Sequence, residues 1–416
     1  MATLVLNASQ LLTMAGSDGP RAGREKGAVS LFRDGAVLIE DGRIVTAGPR
    51  DVVLAHPLAS GARRLSAEGR VVTPGFVDAH THPVFTAPRL DDFEARVGGA
   101  GYRDLAARGG GILWTVNGVR GASEADLAAG LSRRAFDFLA CGTTTLEAKS
   151  GYGLDLDNEL KLLRAIRTVA ARGPLEIVPT LLGAHAVPPE MKGRKDEYVA
   201  RVCSEMIPRA AAEGLARFVD LFCEDGYFDL ADLAKIASAG ASAGLGLKVH
   251  SEQLTRMGSL SSAVKLHAVS VDHLDHANED DVSVLAASRT VACLVPGSNY
   301  FLGKPYPPAR RLLDAGAAVA LATDFNPGTC PCWDMRAIMS IACTQMKMTP
   351  GEAMVAATVN GAHAAGLGKT HGTLEPGKAA DLVCHDAEDW REIAYYFGAP
   401  RTRWTMKRGE VVASLS

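Results

Sequence analysis

The chain has 416 residues, 47% hydrophobic and 22% charged, which places it in the ordinary globular range, with length for one barrel-sized core and a smaller one. A net charge of −3 and no basic run interleaved with aromatics exclude a nucleic-acid footprint and leave a small molecule as the expected partner. No stretch reaches the roughly 18 uninterrupted apolar residues of a membrane span, and the N-terminus lacks a positively charged leader, so a soluble, cytoplasmic protein is expected.

From the N-terminus, short strand-like runs come first: "TLVLNASQLLTM", then "GAVLIEDGRIVTAG" with Asp41 and Gly42 at a hairpin turn, then "RRLSAEGRVV". The same texture returns after about Thr370, in "HGTLEPGKAADLVCHD" and "RWTMKRGEVVAS". The two ends are expected to build one small composite β-sandwich from residues 1–72 and 370–416. Between them, residues 73–369 alternate short apolar strands with amphipathic helices. Expected strands are Val71–Ala79, Gly142–Ala148, Glu176–Leu182, Phe218–Phe222, Leu245–Val249, Ser270–Leu274, Thr290–Val295 and Ala318–Ala322. The stretch "SEADLAAGLSRRAFDFLACG" has Ser123 as N-cap and Gly142 near the C-cap of a helix. About eight βα units in series imply an α/β fold, a closed parallel (β/α)8 TIM barrel. Gly109–Gly111 reads as a tight turn or a rim loop.

The expected strands end in polar groups that a buried strand does not otherwise tolerate. "TPGFVDAHTHPVF" carries His80 and His82, which side-chain alternation puts on one face. Later strands end at Glu147, Lys149 and Tyr152, at His185, at Glu224 and Asp225, at His250, Glu252 and Gln253, at His273 and His276, at Asn299, and at Asp324 and Asn326. In a parallel barrel these ends converge on one mouth, where they can satisfy one another around a cation. His80, His82, His250 and Asp324 offer three neutral nitrogens and a carboxylate, a set suited to one zinc or iron(II) ion with a position open for water. Two roles are open to Asp324, ligand or acceptor for that water. Lys149 is the one obvious bridging group for a second ion, and an ion pair with Glu147 is its other role.

These segments resemble the metal-dependent amidohydrolases. Within that family, "PGFVDAHTHPVF", "GGGILWTVNGVR", "EAKSGYG", "LGAHAVPPE", "KVHSEQ", "VDHLDH" and "TDFNPGT" look like the branch of histidine degradation that hydrolyses 4-imidazolone-5-propanoate to N-formimidoyl-L-glutamate. The resemblance implies a barrel with a composite β-sandwich, one divalent metal ion per chain and a cytoplasmic homodimer. It also implies metal ligands at His80, His82, His250 and Asp324, and substrate contacts at Arg89, Tyr152, His185, Gln253, Asn326, Gly328 and Thr329. His273 would stabilise the developing oxyanion. Glu252, on the face of His250 in an extended strand, is expected as proton carrier, with Gln253 as a substrate contact if the strand has already turned. Arg89 suits the propionate carboxylate, and a rim salt bridge with Asp91 or Asp92 is its other reading. Cys330 would be oxidation-sensitive if exposed with a depressed pKa. Deaminases of cyclic amidines in the same family, and a non-catalytic scaffold, are the rival functions.

Overall fold

A computed structural model describes residues 2–99 and 110–414, so Gly109 and the start of its glycine run lie outside the described residues. Eight parallel strands, in chain order Phe76–Asp78, Thr143–Lys149, Glu176–Ala184, Phe218–Cys223, Gly246–Ser251, Ser270–His273, Val291–Leu294 and Val319–Leu321, lie side by side in one sheet. The sheet closes on itself past the strand ends. The Asp324 amide donates to the His80 carbonyl at 3.0 Å and the His82 amide to the Phe325 carbonyl at 2.8 Å, joining the eighth strand's exit to the first's. Below them, Asp78 accepts from the Thr323 amide at 3.0 Å and its hydroxyl at 2.6 Å. This is the expected barrel.

Helices between the strands bury their apolar faces on it. Glu124–Ala140 is capped by the Ser123 hydroxyl, which accepts from the Asp126 amide at 3.1 Å, and it buries Leu127, Leu131 and Phe138. Leu156–Arg172 is capped by Asp155 and buries Leu162, Leu163, Ile166 and Val169 at the three- and four-residue spacing of an amphipathic helix.

The two chain ends form a second sheet of eight strands, mostly antiparallel and hydrogen-bonded as one continuous surface. Its alternation is clean. Val5, Val37 and Ile39 pack on one face with Leu382 and Met406, while Leu4, Leu6 and Leu38 pack on the other with Val53. Asp41 and Gly42, both at positive φ, make the expected hairpin turn between Leu31–Glu40 and Arg43–Pro49.

The run Val71–Ala79, expected as one strand, is two. Val71–Pro74 pairs with Gln10 and Leu11 and with Leu382–His385 in the second sheet, and Phe76–Asp78 is the first barrel strand. Gly75 lies between them against Thr144, where an added Cβ would sit 2.1 Å from the hydroxyl oxygen. An apolar run cannot reveal that two sheets share it; this close crossing does. Among the described residues no helix is long and apolar enough to cross a membrane.

Candidate active site

Alternation along the strands decides what faces the barrel interior. Glu147 and Lys149 share the inner face of the second strand, Lys248 and His250 that of the fifth, and Ser270 and Asp272 that of the sixth. These charges are buried together with Asp220 of the fourth strand. Lys149 Nζ donates to Glu147 Oε1 at 2.8 Å and to Asp220 Oδ2 at 2.7 Å, and Lys248 Nζ donates to the Ala79 carbonyl at 2.7 Å. Lys149 is thus engaged in ion pairs. Burial disfavours its ammonium, but Asp220, Glu147 and Asp272 outweigh burial and raise its pKa.

The imidazoles stand directly above this layer. His80 Nδ1 donates to Asp272 Oδ2 at 2.6 Å, and His250 Nδ1 to Asp220 Oδ1 at 3.2 Å. Each carboxylate thereby sets the tautomer that leaves Nε2 with a free lone pair. The Nε2 atoms of His250 and His82 face each other at 3.4 Å, and Asp324 Oδ1 lies 3.6 Å from Nε2 of both His80 and His82. His80 Nε2 is buried without a hydrogen-bond partner.

Lone pairs crowded in this way repel unless a cation lies among them. Their spacing matches the edge, about 3.4 Å, of a tetrahedron of ligands ~2.1 Å from a zinc-sized ion. Burial, with the charges around them, holds His80 and His82 well below the usual imidazole range, and so in the neutral form that a metal requires. The residues therefore fit a metal ion. His80, His82 and His250 form one cluster of potential ligands, and His80, His273 and Asp324 form another.

His273 and Asp324 take left-handed backbone angles, φ 78° and 53°, uncommon for residues with a Cβ and concentrated at functional sites. Neither ring nitrogen of His273 has a hydrogen-bond partner. A cavity of about 500 Å³ opens over the cluster, with His82, His250, His273 and Asp324 on one side. Arg89, Tyr152, His185, Gln253, Asn326 and Thr329 complete the expected part of its wall. His185 stacks on His82 at 5.2 Å and donates from Nδ1 to the Gly151 carbonyl at 3.0 Å; burial pushes it down to about 3. Arg89 lies 3.8 Å from Asp92, so the expected rim ion pair and the place in the cavity wall coexist.

Two expectations, at Glu252 and Cys330, are corrected. Glu252 is not aimed at the cluster. Its backbone turns left-handed, φ 52°, which ends the alternation, and its carboxylate accepts from the Met257 amide at 2.7 Å, the Ser259 hydroxyl at 3.0 Å and the Leu260 amide at 3.3 Å. Gln253, the next residue, lines the cavity instead. The amides of Gly328 and Thr329 donate to Asn326 Oδ1 at 2.9 and 2.7 Å, closing a turn at the cavity wall. A Cβ at 328 would lie 2.1 Å from Arg89 Cζ, so any larger residue there must displace that guanidinium. Cys330 is buried, and burial pushes its thiol well up, opposite to an oxidation-prone thiolate.

Sequence reasoning missed the carboxylates that orient the imidazoles, Asp220 and Asp272, and the buried Lys248. Their signal was a charge in the middle of a buried strand, in "FVDLFC", "SVDH" and "GLKVH". It also missed Arg96 and Lys304 in the cavity wall, and read Asp92 only as an ion-pair partner of Arg89.

Residues 71–412 match the amidohydrolase family. An imidazolonepropionase of Symbiobacterium thermophilum is 45% identical over 415 residues, 98% of this chain and 96% of that protein. One of Solibacter usitatus is 46% identical over 396 residues, covering 95% and 94%. Among solved structures, a zinc-bound adenosine deaminase of Xanthomonas campestris superposes with a TM-score of 0.73 at 19% identity, covering 98% of this chain and 92% of that one. The guanine deaminase of E. coli gives 0.68 at 16% identity over the full length of both, a likeness of fold alone. With the family match spanning barrel and site, and near-full-length relatives above 40% identity, the chain belongs to the amidohydrolase family, beside the imidazolonepropionases.

Proposed function

We propose that the protein is an imidazolonepropionase, hydrolysing 4-imidazolone-5-propanoate to N-formimidoyl-L-glutamate in histidine degradation. One observation carries the reading: a cluster of three histidines, with Asp324 3.6 Å from two of their nitrogens, meets an arginine suited to a carboxylate at one cavity, in a chain whose near-full-length relatives bear that name. His80, His82, His250 and Asp324 hold the metal, zinc or iron(II), and both metals accept this donor set. When bound, a divalent ion there supplies Lewis acidity toward water and a carbonyl.

The chain's own residues do the rest. Arg89 takes the propionate carboxylate as a charged fork, with Tyr152 beside it. His185, Gln253, Asn326 and Thr329 orient the ring, and Gly328 leaves the room in which Arg89 lies. His273, with unpartnered ring nitrogens, donates to the carbonyl oxygen as charge develops on it. Asp324 takes a proton from the attacking water and passes it to the ring nitrogen as the C–N bond breaks, and the carboxylic acid so formed releases water's second proton to become the carboxylate. No role falls to Glu252.

The test is consumption of enzymatically generated imidazolone propanoate by protein stripped of metal and by the same protein restored with zinc or iron(II). Formimidoylglutamate without ammonia, formed only after restoration, is the expected result. Ammonia release from a cyclic amidine, with the imidazolone left to spontaneous decay, would replace this reading with a deaminase.

The proposal includes a cytoplasmic homodimer. Exposed Tyr300 and Phe397, with ring centroids 6.2 Å apart beside exposed Tyr395, support an apolar face for a second copy. The mass in solution tests it.

A further inference from the structure

Residues 89–97 put three charges on one side of one helix. Arg89 is the N-cap of Leu90–Val97, Asp92 follows three residues later and Arg96 four after that, so all three face the cavity. Asp92 is committed twice: its Oδ2 accepts from the Gly111 amide at 2.8 Å and lies 3.8 Å from Arg89 Nη1. Arg96 Nη2 donates to the Gly328 carbonyl at 3.0 Å, the same glycine across which Arg89 lies. Among the described residues, two guanidiniums thus converge on one residue with a single carboxylate between them.

We infer that Arg96 determines specificity: it gives this end of the cavity the one net positive charge that selects a substrate ending in a single carboxylate. Asp92 balances one arginine, so without Arg96 the end would be formally neutral and Arg89 would be an internal ion pair. Among the described residues, Arg89 Nε and Arg96 Nη1 are buried without an acceptor, a state expected of a site that awaits an anion. Burial, and after it the charge of Arg89, lowers the pKa of Arg96, as a local shortage of negative charge should. Lys304 also lines the cavity, but it stands near His273 and Asp275 rather than in this group. The guanidinium of Arg96 lies 5.5 Å from the Phe301 ring, so methionine can keep much of its packing while removing the charge.

The inference rests on the proposed substrate, and binding separates the two. Metal-loaded wild type, Arg96→Met and Arg96→Lys are titrated calorimetrically with imidazolepropanoate and with its uncharged amide. Wild type is expected to prefer the acid. Arg96→Met should weaken the acid by about 10- to 100-fold and leave the amide unchanged, and Arg96→Lys should restore most of the preference. With the imidazolone as substrate, KM should rise in step while kcat stays within about threefold, the mark of uniform binding. Equal loss of acid and amide, or a preference unchanged in Arg96→Met, would overturn the inference and leave Arg96 a brace for the Gly328 turn. A wild type indifferent to the carboxylate would overturn it as well, whereas the reaction is judged by its own product. Unchanged metal content and melting temperature confirm that each variant is folded.

Discussion

Inside the barrel, Lys149, Asp220, Lys248 and Asp272 hold hydrogen-bond partners in a charge network that leaves Glu147 Oε2 without one, whereas one layer higher His80 Nε2, both nitrogens of His273 and Arg89 Nε are buried with none among the described residues. Both layers put polar atoms out of water, at a cost only partners can offset. The lower layer finds its partners within the chain and so positions side chains. The upper layer lacks them because its partners are the metal and the substrate.

Five measurements can break or sharpen this contrast. His80→Ala removes a metal donor from the upper layer, and activity should fall by about a thousandfold or more, the several kcal/mol that a Lewis-acid cation supplies. Near-normal turnover at normal metal content would erase the distinction between layers. Lys149→Met leaves Glu147 and Asp220 without their cation, and denaturant unfolding should show a loss of about 3–5 kcal/mol. A variant as stable as wild type would mean that the network is dispensable.

Asp272→Asn tests the seam between the layers by taking the charge from His80's partner. Chelator competition should report metal affinity weaker by about 10- to 100-fold, with the fold intact.

A control lies outside the barrel, in the second sheet. His385 is buried with Nε2 2.9 Å from Thr73 Oγ1, and burial followed by the charge of Arg336 pushes it down to about 3. Below the ordinary imidazole pKa of about 6.5 the unfolded chain takes up a proton that the folded one refuses. Stability from this group is therefore present above that pH and falls by about 1.4 kcal/mol per unit as the solution is acidified toward 3. His385→Asn should flatten the curve of stability against pH between 6.5 and 5, and a parallel curve would show that His385 is not the group responsible.

The smallest effect is expected at Glu252→Gln. Because its carboxylate serves the turn before Ser259, kcat should change by less than about tenfold. A drop of several orders of magnitude would return Glu252 to the proton-transfer role.

Much of this was legible in the residues. The strand order, the convergence of His80, His82, His250 and Asp324, and the hairpin at Asp41–Gly42 follow from periodicity and turn chemistry, which neighbouring residues carry among themselves. Alternation misled only where it stopped, at Glu252, whose left-handed backbone hands the cavity to Gln253.

By itself, then, the sequence determined the family, the barrel and which residue types gather at its mouth, because strand pattern and polar strand ends are local properties. Only the tertiary structure decided that Asp272 meets His80 and Asp220 meets His250, that Gly75 divides one apolar run between two sheets, and that Arg96 reaches the Gly328 turn. Each of these depends on which segments meet once the chain has folded, a relation between residues 30 to 314 positions apart that no local pattern encodes.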